Sequence, residues 1–177
     1  SWHSWHHSDP TCARHGVLTI ADAVIGGFGR VGGWFAVERF GLAPDLIVFA
    51  KGVTSGYLPL GGVVVSPRVA EPFWSSSAAG VWRHGYTYSG HATATAAAHP
   101  NLDIMEREGL IANAAKVGRY LLGQLRETLG DHPHIGDIRG EGLIIAVEFI
   151  ADRESRRPFD PKANVHRLVA ARALDLG

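Results

Sequence analysis

Residues 17–66 decide the fold: VLTIADAVIGGFGRVGGWFAVERFGLAPDLIVFAKGVTSGYLPLGGVVVS. Val17-Leu18-Thr19-Ile20-Ala21 and Leu46-Ile47-Val48-Phe49-Ala50 are short apolar runs without alternation and rich in β-branched residues. That is the composition of parallel strands covered on both faces. One run ends on Asp22 and the other on Lys51. Ligands of open α/β sheets bind just beyond the carboxyl ends of the strands, so a carboxylate and an amine delivered there would face one crevice. Acids and lysines that follow strands are commonly solvated turn residues, and the pair alone leaves that reading open. The pair also suits one cofactor, pyridoxal phosphate, whose aldehyde forms a Schiff base with lysine and whose ring nitrogen takes an acidic partner.

Two motifs inside the stretch are decoys. Gly27-Phe28-Gly29-Arg30-Val31-Gly32 fits the G-x-G-x-x-G pattern. The dinucleotide fingerprint, however, opens a helix directly after its strand and needs an acid about 20 residues further on. Here Asp45 falls too early, and Gly33-Trp34-Phe35 begins no amphipathic helix. In Ala50-Lys51-Gly52-Val53-Thr54-Ser55 the lysine precedes the glycine, which is the reverse of a phosphate-binding P-loop. The link from Lys51 to Gly62-Val63-Val64-Val65 is too short for a helical crossover, so this third run is expected to pair antiparallel or to form an edge.

Elsewhere the patterns are ordinary. Residues 12–15 end a helix capped by Gly16. Ser66-Pro67 starts a short helix with proline at its first position, and 75–80 is a small-residue loop. His84-Gly85-Tyr86-Thr87-Tyr88-Ser89-Gly90-His91 is a loop entering a helix, where a hydroxyl and free N–H groups could cap or could bind phosphate. The helix over 92–108 should break or kink at Pro100. A second helix carries Leu110, Ala114, Val117, Leu121 and Leu125 at helical spacing, with Gly130 as its cap. Residues 135–138 and 143–149 read as strands, and Asp160-Pro161 as the start of a last helix.

The composition is that of ordinary globular material: 177 residues, 46% hydrophobic, 19% charged, with zero net charge and one cysteine, Cys12. No basic block suggests nucleic acid or an anionic membrane, and no internal disulfide is possible. No apolar stretch has the length of a membrane span. The expectation is a soluble, cytoplasmic chain. His3, His6 and His7 near the N-terminus lack the Cys or carboxylate partners of a metal site, so no metal is expected.

The segment from Ala21 to Ser66 closely resembles the class III aminotransferases, pyridoxal-phosphate enzymes of fold type I. The resemblance continues through HGYTYSGH (His84–His91), NLDIMEREGL (Asn101–Leu110) and DIRGEGLIIAVEF (Asp137–Phe149). It runs from about Pro10 to the C-terminus and implies an α/β fold. Residues 10–105 would be the C-terminal half of the large domain, with a mostly parallel sheet. Residues 106–177 would be a linking helix and the beginning of the small α+β domain, and 1–9 an unmatched tail. Family members are much longer, so the chain is expected to be a fragment.

The resemblance also implies roles. Lys51 would hold pyridoxal 5′-phosphate as an internal aldimine and then act as the base at the substrate's α carbon. Asp22 would partner the ring nitrogen. Val24 would pack on the ring face, although it reads equally well as core. Thr87 would bind the phosphate of the cofactor in the neighbouring subunit, which makes the complete enzyme at least a homodimer. The implied reaction moves an amino group from an amino acid, ω-amino acid or amine to a 2-oxo acid such as pyruvate. The wording of His84–His91 and Tyr57–Ser66 leans towards the ω-amino-acid:pyruvate branch. Ala23 departs from the family's frequent glutamate, Ala92 from its proline, and Pro100 from a small helix former. Two readings compete with the transaminase: a truncated, non-catalytic polypeptide, and an aminomutase or racemase on the same fold.

Overall fold

In the computed structural model, which describes residues 8–75 and 81–177, the chain opens with helix α1 (Ser8–Arg14). Gly16, at φ 67°, ends it as its sequence position implies. The N–H of Val17 reaches the Cys12 carbonyl at 2.9 Å and that of Gly16 the Ala13 carbonyl at 3.2 Å, the paired closure of a glycine-capped helix. His3, His6 and His7, and most of the small-residue loop over 75–80, lie outside the described residues. The chain forms two compact units, residues 1–115 and 116–177.

The first unit holds a three-stranded sheet of β1 (Ile20–Asp22), β2 (Leu46–Phe49) and β3 (Gly62–Val65), in that order. β1 runs parallel to β2, with Ile20 opposite Leu46 and Asp22 opposite Val48. β3 is antiparallel to β2 and lies at the edge, as its short connection requires. The expectation of strands covered on both faces is corrected. β1 has three residues, Val17 and Leu18 precede it and are exposed, Ile20 is 63% exposed, and β2 is half-buried throughout. β1 borders the sheet, with no further strand paired to it among the described residues, whereas β2 is central and is half-buried because the described elements cover its faces only in part.

Register is fixed by a buried acid. The Asp45 carboxylate accepts the Thr19 N–H at 2.9 Å and pairs with the Arg68 guanidinium at 3.3 Å. The Thr19 carbonyl in turn accepts the N–H groups of Asp45 and Leu46, each at 3.0 Å. Asp45 is 9% exposed, and a carboxylate that far out of water is tolerated because it is paired and hydrogen-bonded.

No helix opens after β1. Residues 24–35 are turns and bends, and the first helix beyond them is the single turn α2 (Val37–Phe40), so the dinucleotide arrangement is absent here. Phe28 and Phe35 of this loop pack edge-on with each other at 5.6 Å, and Phe28 with Phe49 of β2 at 5.7 Å. Gly32 has φ 81°, and a Cβ there would come within 2.6 Å of the Ala115 side chain. Both its backbone conformation and its neighbour therefore demand glycine.

Helix α3 (Pro67–Ser75) begins with proline at its first position, as expected. Helix α4 (Ala92–Arg107) is capped by the His91 ring nitrogen, which accepts the Ala94 N–H at 3.3 Å. It runs through Pro100 without the expected break, at the cost of one backbone donor. Helix α5 is Leu110–Leu129. Its apolar stripe is also corrected. Ala114 and Gly118 are buried and Ile111, Leu122 and Leu125 half-buried, whereas Leu110, Val117 and Leu121 are exposed. The buried face is the one carrying small residues, because glycine and alanine let neighbouring backbone approach closely. Gly130 does not take the left-handed conformation of a glycine cap; its N–H continues the helical pattern to the Arg126 carbonyl at 2.9 Å.

In the second unit β4 (Ile135–Glu141), β5 (Ile144–Asp152) and β6 (Arg157–Pro158) form an antiparallel sheet in that order. β4 is longer than its apolar residues suggest, since Arg139-Gly140-Glu141 also pairs. The hairpin closes over Gly142-Leu143, with Gly142 at φ 55°, the first central position that tight hairpins give to glycine. Ile135, Ile138 and Ile150 are its buried residues. On the open face Arg139 binds Asp137 and Glu148, each at 2.9 Å, and these bonds raise its pKa. At the end of β5, Asp152 accepts the hydroxyl and the N–H of Ser155, which holds its carboxyl below the usual range. Asp160 caps only a one-turn 3-10 segment, Pro161–Ala163, through the Lys162 N–H at 2.9 Å. Asn164, at φ 47°, then redirects the chain into α6 (Val165–Leu176), so the last helix starts later than expected.

No helix among the described residues is long and apolar enough to cross a membrane.

Candidate active site

Asp22 is the last residue of β1, and the next N–H, from Ala23, donates to the Val48 carbonyl of β2 at 2.8 Å. One carboxylate oxygen of Asp22 accepts the Val24 N–H at 3.0 Å. That bond orients the side chain and leaves the second oxygen open, and no cation pairs with the carboxylate among the described residues. Ala23 is 1% exposed and Val24 half-buried, so the chain between the acid and the glycine-rich loop is anchored.

Lys51 follows β2 as the first residue of a 3-10 turn, Lys51–Thr54. Because β1 and β2 are parallel, Asp22 and Lys51 leave the sheet at the same end. Lys51 sits at φ 49°, in the left-handed region that a long side chain enters only when its surroundings hold it there. Its ammonium has no hydrogen-bond or ion partner among the described residues. A cavity of about 640 Å³ lies beside it, walled by Ala50, Thr54, Leu58, Pro59 and Leu60. Thr54 is 1% exposed, and its hydroxyl donates to the Leu58 carbonyl at 2.6 Å, which ties the turn to that wall. Lys51 itself is exposed, so these residues do not supply the partial burial that a lysine base needs.

Thr87 belongs to a different segment of the chain, ahead of α4. It opens the turn Thr87–Gly90, which is exposed and closed by the Tyr86 N–H to the Ser89 hydroxyl at 2.9 Å and the Ser89 N–H to the Tyr86 carbonyl at 2.9 Å. No hydrogen bond joins it to Asp22 or Lys51. The structure therefore brings Asp22, Val24 and Lys51 to one sheet end and puts Thr87 in an exposed turn that makes no hydrogen bond to Asp22 or Lys51.

One polar residue at the lysine turn carries no signal of chemistry in the sequence. Asn101 of α4 donates to the carbonyls of Gly52 and Val53 at 2.9 and 3.1 Å, and accepts the Ser55 hydroxyl at 2.7 Å. Its trace in the sequence is an asparagine in a helix interior, a poor helix former that usually finds a partner outside the helix.

The donor set fits a pyridoxal group: a primary amine without a partner among the described residues, and a carboxylate oriented by a backbone N–H at the same sheet end. Comparisons with known proteins agree. The family model for class-III aminotransferases matches residues 7–177. The chain is 45% identical over 172 residues to a diaminobutyrate–2-oxoglutarate transaminase of Halomonas elongata, an alignment covering 97% of this chain and 37% of that protein. A transaminase structure from a study of directed evolution by ancestral reconstruction superposes with a TM-score of 0.90 at 47% identity, covering 95% of this chain and 37% of that one. An amine transaminase from an uncultivated Pseudomonas species, solved in its PLP-bound (internal aldimine) form, superposes with a TM-score of 0.84 at 45% identity, covering 90% of this chain and 36% of that one. The chain thus spans a little over a third of the length of these relatives. Class-III aminotransferases are fold type I enzymes that use pyridoxal 5′-phosphate. With the strand-end acid and lysine in place and the family model matching almost throughout, this chain belongs to the class-III aminotransferases.

Proposed function

We propose that the intact protein is a pyridoxal-phosphate-dependent transaminase that moves an amino group from an amino acid, ω-amino acid or amine to a 2-oxo acid such as pyruvate. The observation that carries this reading is the unpaired Lys51 amine at the same strand end as the oriented Asp22 carboxylate. When bound, the cofactor supplies an aldehyde that takes up amino groups and a ring that accepts an electron pair. Lys51 would hold it through Nζ and, once displaced by the donor, would take and return the proton at the donor's α carbon. Asp22 would accept the hydrogen bond of the protonated ring nitrogen, a charge-assisted contact that strengthens as water is excluded. Val24 would pack on the ring face. Thr87, in an exposed turn, would bind the phosphate of a cofactor held by a second copy, and the working enzyme would be a homodimer.

A second reading, that this chain on its own performs no chemistry, is supported by the exposure of Lys51 and of the β1 border. One titration separates the two. Pyridoxal phosphate added to the protein should produce an absorbance band at roughly 410–430 nm, the range of a protonated lysine imine, that is missing in Lys51→Ala. A band that survives the substitution sinks the assignment of Lys51. No band in the chain alone, but one in the intact protein, would support the second reading. Transfer of an amino group to pyruvate then distinguishes a transaminase from an aminomutase or racemase.

A further inference from the structure

We infer that Asn101 is a positioning residue that holds the Lys51 turn in its left-handed start, an inference that rests on Lys51 being the cofactor lysine. The turn is gripped from two sides. From α4, the Asn101 amide donates to two consecutive carbonyls, Gly52 at 2.9 Å and Val53 at 3.1 Å, while its oxygen accepts the Ser55 hydroxyl at 2.7 Å. From the glycine-rich loop, Phe28 presses so closely that a Cβ on Gly52 would lie 2.7 Å from the Phe28 Cβ. Asn101 is half-buried and also touches the Met105 sulfur, so it is not free to turn to solvent.

This bracing answers a specific need. Lys51 begins the turn at φ 49°, where a non-glycine residue is disfavoured and persists only if its neighbours determine it. The bonds that tie the turn to its flanks are long: Val53 N–H to the Ala50 carbonyl at 3.4 Å and Ser55 N–H to the Gly52 carbonyl at 3.2 Å. The three Asn101 bonds add a grip from another element, and they hold the backbone from which the Lys51 side chain departs. Without them the turn can relax, and the start of the Lys51 side chain moves with it.

The test uses the intact protein and four substitutions: Asn101→Ala, Asn101→Asp, Lys51→Ala and Ile138→Ala. Asn101→Asp keeps the shape and the acceptor for Ser55 but sets a carboxylate oxygen against two carbonyls. Ile138→Ala destabilises a buried site in the other unit and shows what lost stability alone does. Two readouts are followed on folded protein: hydrogen exchange of the Val53 and Ser55 amides without cofactor, and the pyridoxal phosphate concentration needed to half-fill the lysine band. Both Asn101 variants should exchange faster at Val53 and Ser55 and need about tenfold more cofactor, the scale of a lost buried hydrogen bond or two. Ile138→Ala should change neither. If the Asn101 variants behave like Ile138→Ala while Lys51→Ala still loses the band, the positioning role is overturned and the lysine assignment stands. If Lys51→Ala keeps the band, the lysine assignment fails and the inference with it.

Discussion

Asp22→Asn in the intact enzyme should slow amino transfer by about 10²–10³-fold, the usual scale for removing one preorganised charge partner from an active site. The substitution is isosteric, and the amide oxygen can still accept the Val24 N–H that now orients the carboxylate at 3.0 Å. The local turn should therefore survive, and the loss would be chemical. A neutral side chain no longer favours the protonated ring nitrogen, so the ring draws electrons less well when the donor's α proton leaves. The measurement is the single-turnover rate with an amino donor, beside the circular dichroism spectrum. A wild-type rate would remove Asp22 from the proposed mechanism. A collapsed spectrum would mean that the carboxylate serves the strand end instead.

Gly118→Ala should destabilise the unit of residues 116–177, although alanine is the better helix former. Gly118 lies inside α5, where glycine costs about 1 kcal/mol relative to alanine. A Cβ there would overlap the backbone carbonyl of Gly142 in the β4–β5 turn. Neither partner can move away cheaply, because one is helix backbone and the other the apex of a two-residue hairpin. Overpacking of this kind costs about 1–3 kcal/mol and more when backbone is involved, which outweighs the gain in propensity. The thermal midpoint should fall by several degrees, roughly as expected for a small unit losing 1–2 kcal/mol. A midpoint at or above that of the unsubstituted protein would show that the helix and the turn are less tightly apposed.

The placement of the proposed site residues was legible because strand ends are local features. The apolar runs before Asp22 and Lys51, and the glycines that break the chain after them, put both residues at the carboxyl ends of parallel strands, where the structure has them. The antiparallel third strand followed from the length of its connection. What the sequence hides is three-dimensional. Of the α5 stripe, Ala114 and Leu125 face inward as expected, whereas Leu110, Val117 and Leu121 are exposed and Ile111, Gly118 and Leu122 turn inward instead. Pro100 was expected to break or kink its helix; α4 is not broken there, and Ala94, Ala98 and Met105 on either side of it are buried. Asn101 could not be tied to the lysine turn, because its partners are carbonyl groups, which every residue carries.

The β1 border affects how this chain behaves in solution. Among the described residues no strand pairs with its outer edge, Ile20 on it is exposed, and so are Val17, Leu18 and Ile25. An uncovered apolar edge is a template for further strands. Charge does little to keep copies apart, since 17 basic and 17 acidic residues cancel at neutral pH. Colloidal repulsion is thus weakest where the protein would normally be handled. Light scattering against pH should show the most self-association near neutrality and less on either side, for as long as the fold holds. A scattering profile flat across pH would mean that the edge is covered.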